Sequence, residues 1–369
     1  MGLELNNISK KSQGFDTLTD LNMTIEDGTF LAIIAPTGTG KTTLLRVMAG
    51  VEKPDKGQVI VDGEDVTKQH VRHRNVAMVY QQFINYPSLT VFENIASPLR
   101  VSSEKLDKAE LTRRVEQTAE QLQIEALLKR HPSELSGGQQ QRVAIARALV
   151  KDAKLVLLDE PLGNLDYKLR EDLRLELKTL AAERADTIFV YATPEPIDAL
   201  TMASHAAILH DGNIIQYGPM QEVYRKPNHV KSGQYFSDPP MNLMPCEIQD
   251  NEAVVKENFR IPLNAMEADL AKGNYTLGIR PHHVYVRSDE EERLGEEVAL
   301  NAKLQLAEIV GSDTTLHLSH GDMTFTALSQ DFQQHGLDEE TTLYFDPKHI
   351  HVFDADNGDL VKSAAAVSG

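Results

Sequence analysis

A short apolar run, Phe30-Leu31-Ala32-Ile33-Ile34, passes through Ala35-Pro36-Thr37 into Gly38-Thr39-Gly40-Lys41-Thr42-Thr43, and the helix-forming stretch to Ala49 closes on Gly50. Strand, glycine loop and helix in that order point to an α/β unit with a parallel sheet, where a buried strand delivers exposed N–H groups onto a helix start. Such a loop is a phosphate cradle. Thr37, Gly38, Thr39, Gly40, Lys41, Thr42 and Thr43 are the expected ATP-binding residues, with Lys41 on the β- and γ-phosphates and the Thr42 hydroxyl on Mg2+. Ala35 stands where the consensus loop begins with glycine, and an alanine is strained there if φ is positive.

A second apolar run, Leu155-Val156-Leu157-Leu158, ends in Asp159-Glu160. Strand ends of this kind face the ligand edge of an α/β sheet, so Asp159 is expected on Mg2+ and Glu160 on the attacking water. Between the two lies Leu135-Ser136-Gly137-Gly138-Gln139, opening a helical run. Ser136 and both glycines are expected to expose N–H groups, a second phosphate-sensing surface. One nucleotide does not need two such surfaces from one chain. Two chains meeting head to tail, each offering this loop to the ATP of the other, resolve the excess.

These motifs resemble the ATPase subunits of ABC transporters, whose signature is LSGGQ and whose Walker B strand ends as Asp159-Glu160 does. The resemblance implies a catalytic set of Glu160, Gln81 and Lys41 and an Mg2+ set of Thr42, Gln81 and Asp159. It also implies a D-loop at Gly163-Asn164-Leu165-Asp166. Ser136, Gly137, Gly138, Gln139 and Asp166 would then act on the partner's nucleotide. Gly278-Ile279-Arg280-Pro281 is similar to the OB-like (TOBE) regulatory domain of carbohydrate importers, and residues 76–91 and 190–196 are similar to an ATPase subunit of bacterial glycerol importers. That likeness implies ATP-driven uptake of glycerol or a small polyol, or else of a sugar or sugar phosphate. The partners would be two membrane permease subunits and, indirectly, a periplasmic binding protein, with the chain peripheral at the cytoplasmic face of the inner membrane. Exposed aromatics in Phe83–Thr90, Tyr86 among them, would dock a permease helix.

The expected fold is a P-loop α/β ABC domain over about 1–236, with a helical subdomain at about 88–150, then a β-rich OB-like domain over 237–369. Leu111, Val115, Ala119 and Leu122 recur at helical spacing within 104–129. Pro227, Pro239, Pro240 and Pro245 mark a linker, and strict alternation at 302–306 and 315–318 reads as strand. The tail at 362–369 reads as frayed. The net charge of −18 argues against a nucleic-acid partner. The lone Cys246 permits no internal disulfide, and no run reaches the roughly 18 apolar residues of a membrane span. His282 and His283, as strand neighbours facing opposite sides, are expected to share no metal, and His317, His320, His349 and His351 are assigned no site.

Two positions depart from the family pattern. Pro194 stands where most members carry a histidine on the γ-phosphate, and Ser12 stands where an aromatic stacks on adenine. Phe15 is near enough to take over that stacking, although a core role is the stronger expectation for it. Together the departures suggest a heterodimer whose second ATPase supplies the complete site. A homodimer that tolerates the proline, or a hydrolysis-impaired scaffold, are the alternatives.

Overall fold

The computed structural model describes residues 2–12, 14–101, 106–163, 165–256, 259–264, 266, 269–286, 297–310, 313–329 and 340–364. Asn164 and the end of the tail, 365–369, lie outside the described residues. By packing the chain divides into Met1–Met220 and Gln221–Gly369, a division that falls before the proline-rich stretch at 227–245.

The first unit is built on β3 (Phe30–Ile34), β6 (Val76–Val79), β7 (Leu155–Asp159), β8 (Ile188–Thr193) and β9 (His205–His210), with β10 (Asn213–Pro219) antiparallel at the edge. The order is β10-β9-β3-β8-β7-β6, parallel from β9 to β6. The central strands are covered on both faces, which is why β3 and β7 read as unbroken apolar runs rather than as alternation. Leu31, Ile33, Leu157 and Val190 face α1 (Lys41–Ala49) and a four-stranded sheet made from β1 (Gly2–Ser12), β2 (Phe15–Glu26), β4 (Lys56–Val61) and β5 (Glu64–Asp65). Phe30, Val156, Leu158 and Phe189 face the helices of the other layer.

Those helices are α2 (Val91–Arg100), α3 (Lys108–Gln121), α4 (Gly137–Leu149) and α5 (Tyr167–Ala182). Val115, Ala119 and Leu122 are fully buried, as their spacing requires. The helix is shorter than 104–129 because Gln123 takes φ 53° and Glu125–Leu127 tightens into a 3-10 turn. A short α6 (Pro196–Met202) follows β8.

The second unit carries two antiparallel sheets around one apolar core. One joins β11 (Asn242–Gln249), β12 (Glu252–Val255), β13 (Arg260–Pro262), β14 (Gly273–Ile279), β20 (His351–Asp354) and β21 (Leu360–Lys362). The other joins β15 (Val284–Val286), β16 (Val298–Val310), β17 (Asp313–His320), β18 (Met323–Ser329) and β19 (Glu340–Phe345). Alternation on β16 holds through Leu304, but a register shift before Leu306 turns that side chain outward, 45% exposed. His282 and His283 sit in a 3-10 turn and not on a strand, so their rings meet, with centroids 4.2 Å apart, and His283 stacks on His349 at 3.9 Å. Among the described residues no three or more His, Cys, Asp or Glu side chains gather to hold a metal.

Candidate functional site

The glycine loop turns at Gly38 (φ 86°) and Gly40 (φ 104°), the two positions that need left-handed backbone. Ala35 is not among the left-handed residues, so the expected strain does not arise. It is buried, and its N–H donates to the Thr193 carbonyl at 3.4 Å. A Cβ on Gly40 would lie 2.8 Å from the Thr17 carbonyl, so β2 backs the loop directly. Thr37, Gly38 and Thr39 form the outer turn, with Thr39 Oγ1 donating to the Pro36 carbonyl at 2.8 Å, and Thr43 lies in the first turn of α1.

Lys41 is 3% exposed, and its Nζ reaches the carbonyls of Ala35 (2.8 Å) and Pro36 (3.0 Å) and Glu160 Oε1 (3.1 Å). Thr42 Oγ1 donates to Asp159 Oδ1 at 3.1 Å. Burial pushes the Asp159 carboxyl up, the Thr42 hydroxyl opposes that rise, and the neighbouring Glu160 adds to it. Two hard oxygen donors thus lie side by side, a pairing that suits Mg2+, which takes few protein ligands and completes its shell with phosphate and water.

Glu160 has φ 43°, an uncommon conformation outside glycine. Its N–H donates to the Ala192 carbonyl at 3.0 Å, and its Oε2 accepts from Gln81 Nε2 at 2.9 Å. Lys41, Gln81 and Glu160 therefore converge from three strand ends, at the carboxyl edge where α/β sheets bind ligands. Beside them a cavity of about 150 Å3 is lined by Gln81, Glu160, Gly163, Arg170, Pro194 and Glu195.

The signature residues divide between two surroundings. Ser136 caps α4, its Oγ accepting from the Gln139 N–H at 3.4 Å while the Gln139 side chain accepts from the Ser136 N–H at 3.0 Å. Gly137 is open, but Gly138 is buried, because a Cβ there would lie 1.9 Å from Leu169 Cδ2 of α5. One glycine leaves room for a ligand, and the other lets two helices touch. Asp166 caps α5 by accepting from the Leu169 N–H at 3.0 Å.

Phe15, at the tip of the β1–β2 hairpin, is 78% exposed, which overturns the core role expected of it. Ile84 and Tyr86 are exposed as well, and buried Asn94 braces their loop by donating to the Tyr86 and Leu89 carbonyls at 3.0 Å. Sequence reasoning missed Arg170 and a buried network in which Asp198 accepts from Arg174 Nε at 2.6 Å and from the Tyr191 hydroxyl at 2.8 Å. The arginines sit one turn apart on α5, but their surroundings come from a separate strand and helix that no local pattern announces.

Comparison with known proteins matches residues 18–163 to the ABC transporter family, 238–284 to the MalK OB fold domain and 277–353 to the TOBE domain. The sn-glycerol-3-phosphate import ATP-binding protein of Yersinia enterocolitica is 33% identical, over 96% of this chain and 98% of that one. The trehalose/maltose import ATP-binding protein of Thermococcus litoralis is 34% identical over 98% and 99%, and the xylose/arabinose import ATP-binding protein of Haloferax volcanii 35% over 97% and 95%. A dimeric ATP-binding cassette solved in a post-hydrolysis state with ADP and Pi superposes with a TM-score of 0.53 at 30% identity, covering 59% of this chain and 98% of that one.

Proposed function

The chain belongs to the ATPase subunits of carbohydrate ABC importers, peripheral at the cytoplasmic face of the membrane, and from that premise we propose how its own residues work. The observation that carries the reading is the convergence of Lys41, Gln81 and Glu160 on one strand edge. Lys41, with the N–H groups of Thr37 to Thr43, holds the β- and γ-phosphates. Glu160 takes a proton from the attacking water, whose oxygen bonds to the γ-phosphorus as the bridging oxygen leaves with ADP, and Gln81 orients that water. Thr42 and Asp159, with Gln81 beside them, would hold Mg2+, which would supply neutralisation of phosphate charge. Phe15 stacks on adenine in place of the aromatic that Ser12 lacks. Ser136, Gly137 and Gln139 face the partner's nucleotide across a head-to-tail pair, Gly138 seats α4 on α5, and Asp166 shapes the crossing turn. The segment with Ile84 and Tyr86 docks the permease.

Glycerol or a small polyol is the proposed cargo. The relative named for sn-glycerol-3-phosphate, a phosphate ester of that polyol, is the observation that favours it. Relatives of similar identity named for trehalose/maltose and xylose/arabinose make sugars the competing class. Substrate-stimulated ATP turnover of the membrane-embedded complex tests the choice. Stimulation by glycerol and not by disaccharides or pentoses is the expected result, and the reverse pattern overturns it.

Pro194 favours a second reading, a pair of unlike ATPases in which this chain's site is slow. It has no side-chain donor and no N–H, and losing one transition-state donor costs about 3 kcal/mol. Turnover by complexes that carry only this chain decides: a full rate sinks the unlike pair.

A further inference from the structure

The cavity beside Glu160 contains a charge that the roles above leave unused. Glu160 is matched by Lys41 at 3.1 Å, and Asp198, which also lines the cavity, is matched by Arg174 at 2.6 Å. Arg170 lies one helical turn before Arg174, on the same face of α5. Its Nε is enclosed and has no hydrogen-bond partner, and among the described residues no ion pair engages its guanidinium. Leaving such a nitrogen unpaired is costly, so a native protein satisfies it with water, an ion or a ligand, and of the arginines in this state Arg170 is the one that lines the cavity beside Glu160. Pro194 lines the same cavity and has no side-chain donor to offer.

We propose that Arg170 is a catalytic residue of this chain's own site, giving charge-assisted hydrogen bonds to the γ-phosphoryl oxygens that Pro194 cannot give. The proposal rests on the reading of Glu160, Lys41 and Gln81 as the hydrolytic centre. A guanidinium is always protonated and offers its donors in a planar fork that matches phosphate oxygens. Supplied from within the chain, it makes the site complete and removes the need for an unlike partner. Glu195 is the competing anion, since it lines the cavity while its N–H is held by Thr193 Oγ1 at 3.0 Å.

The test is steady-state ATP turnover by the full chain assembled with its membrane subunits in proteoliposomes. Arg170→Ala should lower kcat at least about tenfold and leave KM within about threefold, the mark of an interaction made in the transition state. Adding Pro194→His to that variant should restore kcat to within about threefold of the parent, because the histidine supplies the missing donor. Glu195→Gln alone should change kcat by less than about twofold. The proposal is overturned if Arg170→Ala keeps its rate, if the loss persists in the double variant, or if Glu195→Gln reproduces the loss. Binding of a fluorescent ATP analogue on the same samples confirms folding, and Arg170→Gln replaces the alanine variant should that one not bind. Glu160→Gln, run alongside, separates the two claims. Full turnover there overturns the hydrolytic centre, whereas its loss together with an active Arg170→Ala overturns only the role of Arg170.

Discussion

Asp159 is buried with its carboxyl pushed up, so the fold carries a charge it would be more stable without. Its folded pKa lies above the ordinary 3.8, so the unfolded chain releases that proton first and stability falls as pH rises through the raised value. Asp159→Asn should therefore raise the melting temperature of the nucleotide-free protein by a few degrees and lower turnover at least about a hundredfold. A melting scan and an ATPase assay on one preparation check both, and a lower melting temperature refutes the first. Phe15→Ala removes an exposed ring and should leave melting unchanged while weakening ATP binding by about 1–3 kcal/mol, measured by titration. The strand, glycine loop and helix of residues 30–49 were legible because the chemistry that fixes each of them is local. That Ala35 escapes strain was not legible, because φ is set by the bond its N–H makes to Thr193, far along the chain.

Among the elements, α4 and α5 form the joint on which the residues proposed to face the partner depend. Gly138 lets Leu169 in, and Arg142 Nη1 reaches Glu176 at 2.6 Å and the Leu122 carbonyl at 2.8 Å. Gly138→Ala should push Leu169 away, destabilise the joint by about 1–3 kcal/mol and lower kcat more than nucleotide affinity. Leu169→Ala in the same chain should recover part of the loss, and a double variant no better than the single one refutes the packing argument. The helix start at Ser136 was readable because capping chemistry is local. The packing role of Gly138 was hidden, because a glycine that admits a ligand and one that admits a neighbouring helix are the same letter in a sequence. The outward turn of Leu306 was hidden for a similar reason, since a register shift leaves the alternating pattern on paper untouched.

For the whole molecule, the two units offer separate reporters. Cys246 is buried in the second unit and its thiol is pushed up to about 12 by burial, so it is unreactive in the folded state. Its modification by a thiol reagent should follow denaturation of that unit, and prompt labelling of the native protein would contradict this. Burial also holds His283 and His351 down at about 3, which keeps them neutral in the fold. A folded value below the ordinary 6.5 means stability is present above that pH and lost as pH falls toward 3, by about 1.4 kcal/mol per unit for each group. His351→Asn should flatten that slope in urea titrations between pH 6 and 4, and an unchanged slope contradicts the assignment. The strand–loop–helix order and the change to alternating segments made both units legible from sequence. The sheet partners within them were not, because pairing brings together residues as distant as Ile34 and Thr193.

The end of β8 ties the site together through its main chain and one hydroxyl: the Ala192 carbonyl holds Glu160, the Thr193 carbonyl holds Ala35, and the Glu195 N–H turns back to Thr193 Oγ1. None of these bonds asks anything of residue 194. The architecture is therefore blind to what that position carries, and a lineage can exchange a histidine, a proline or anything between there without renegotiating the fold.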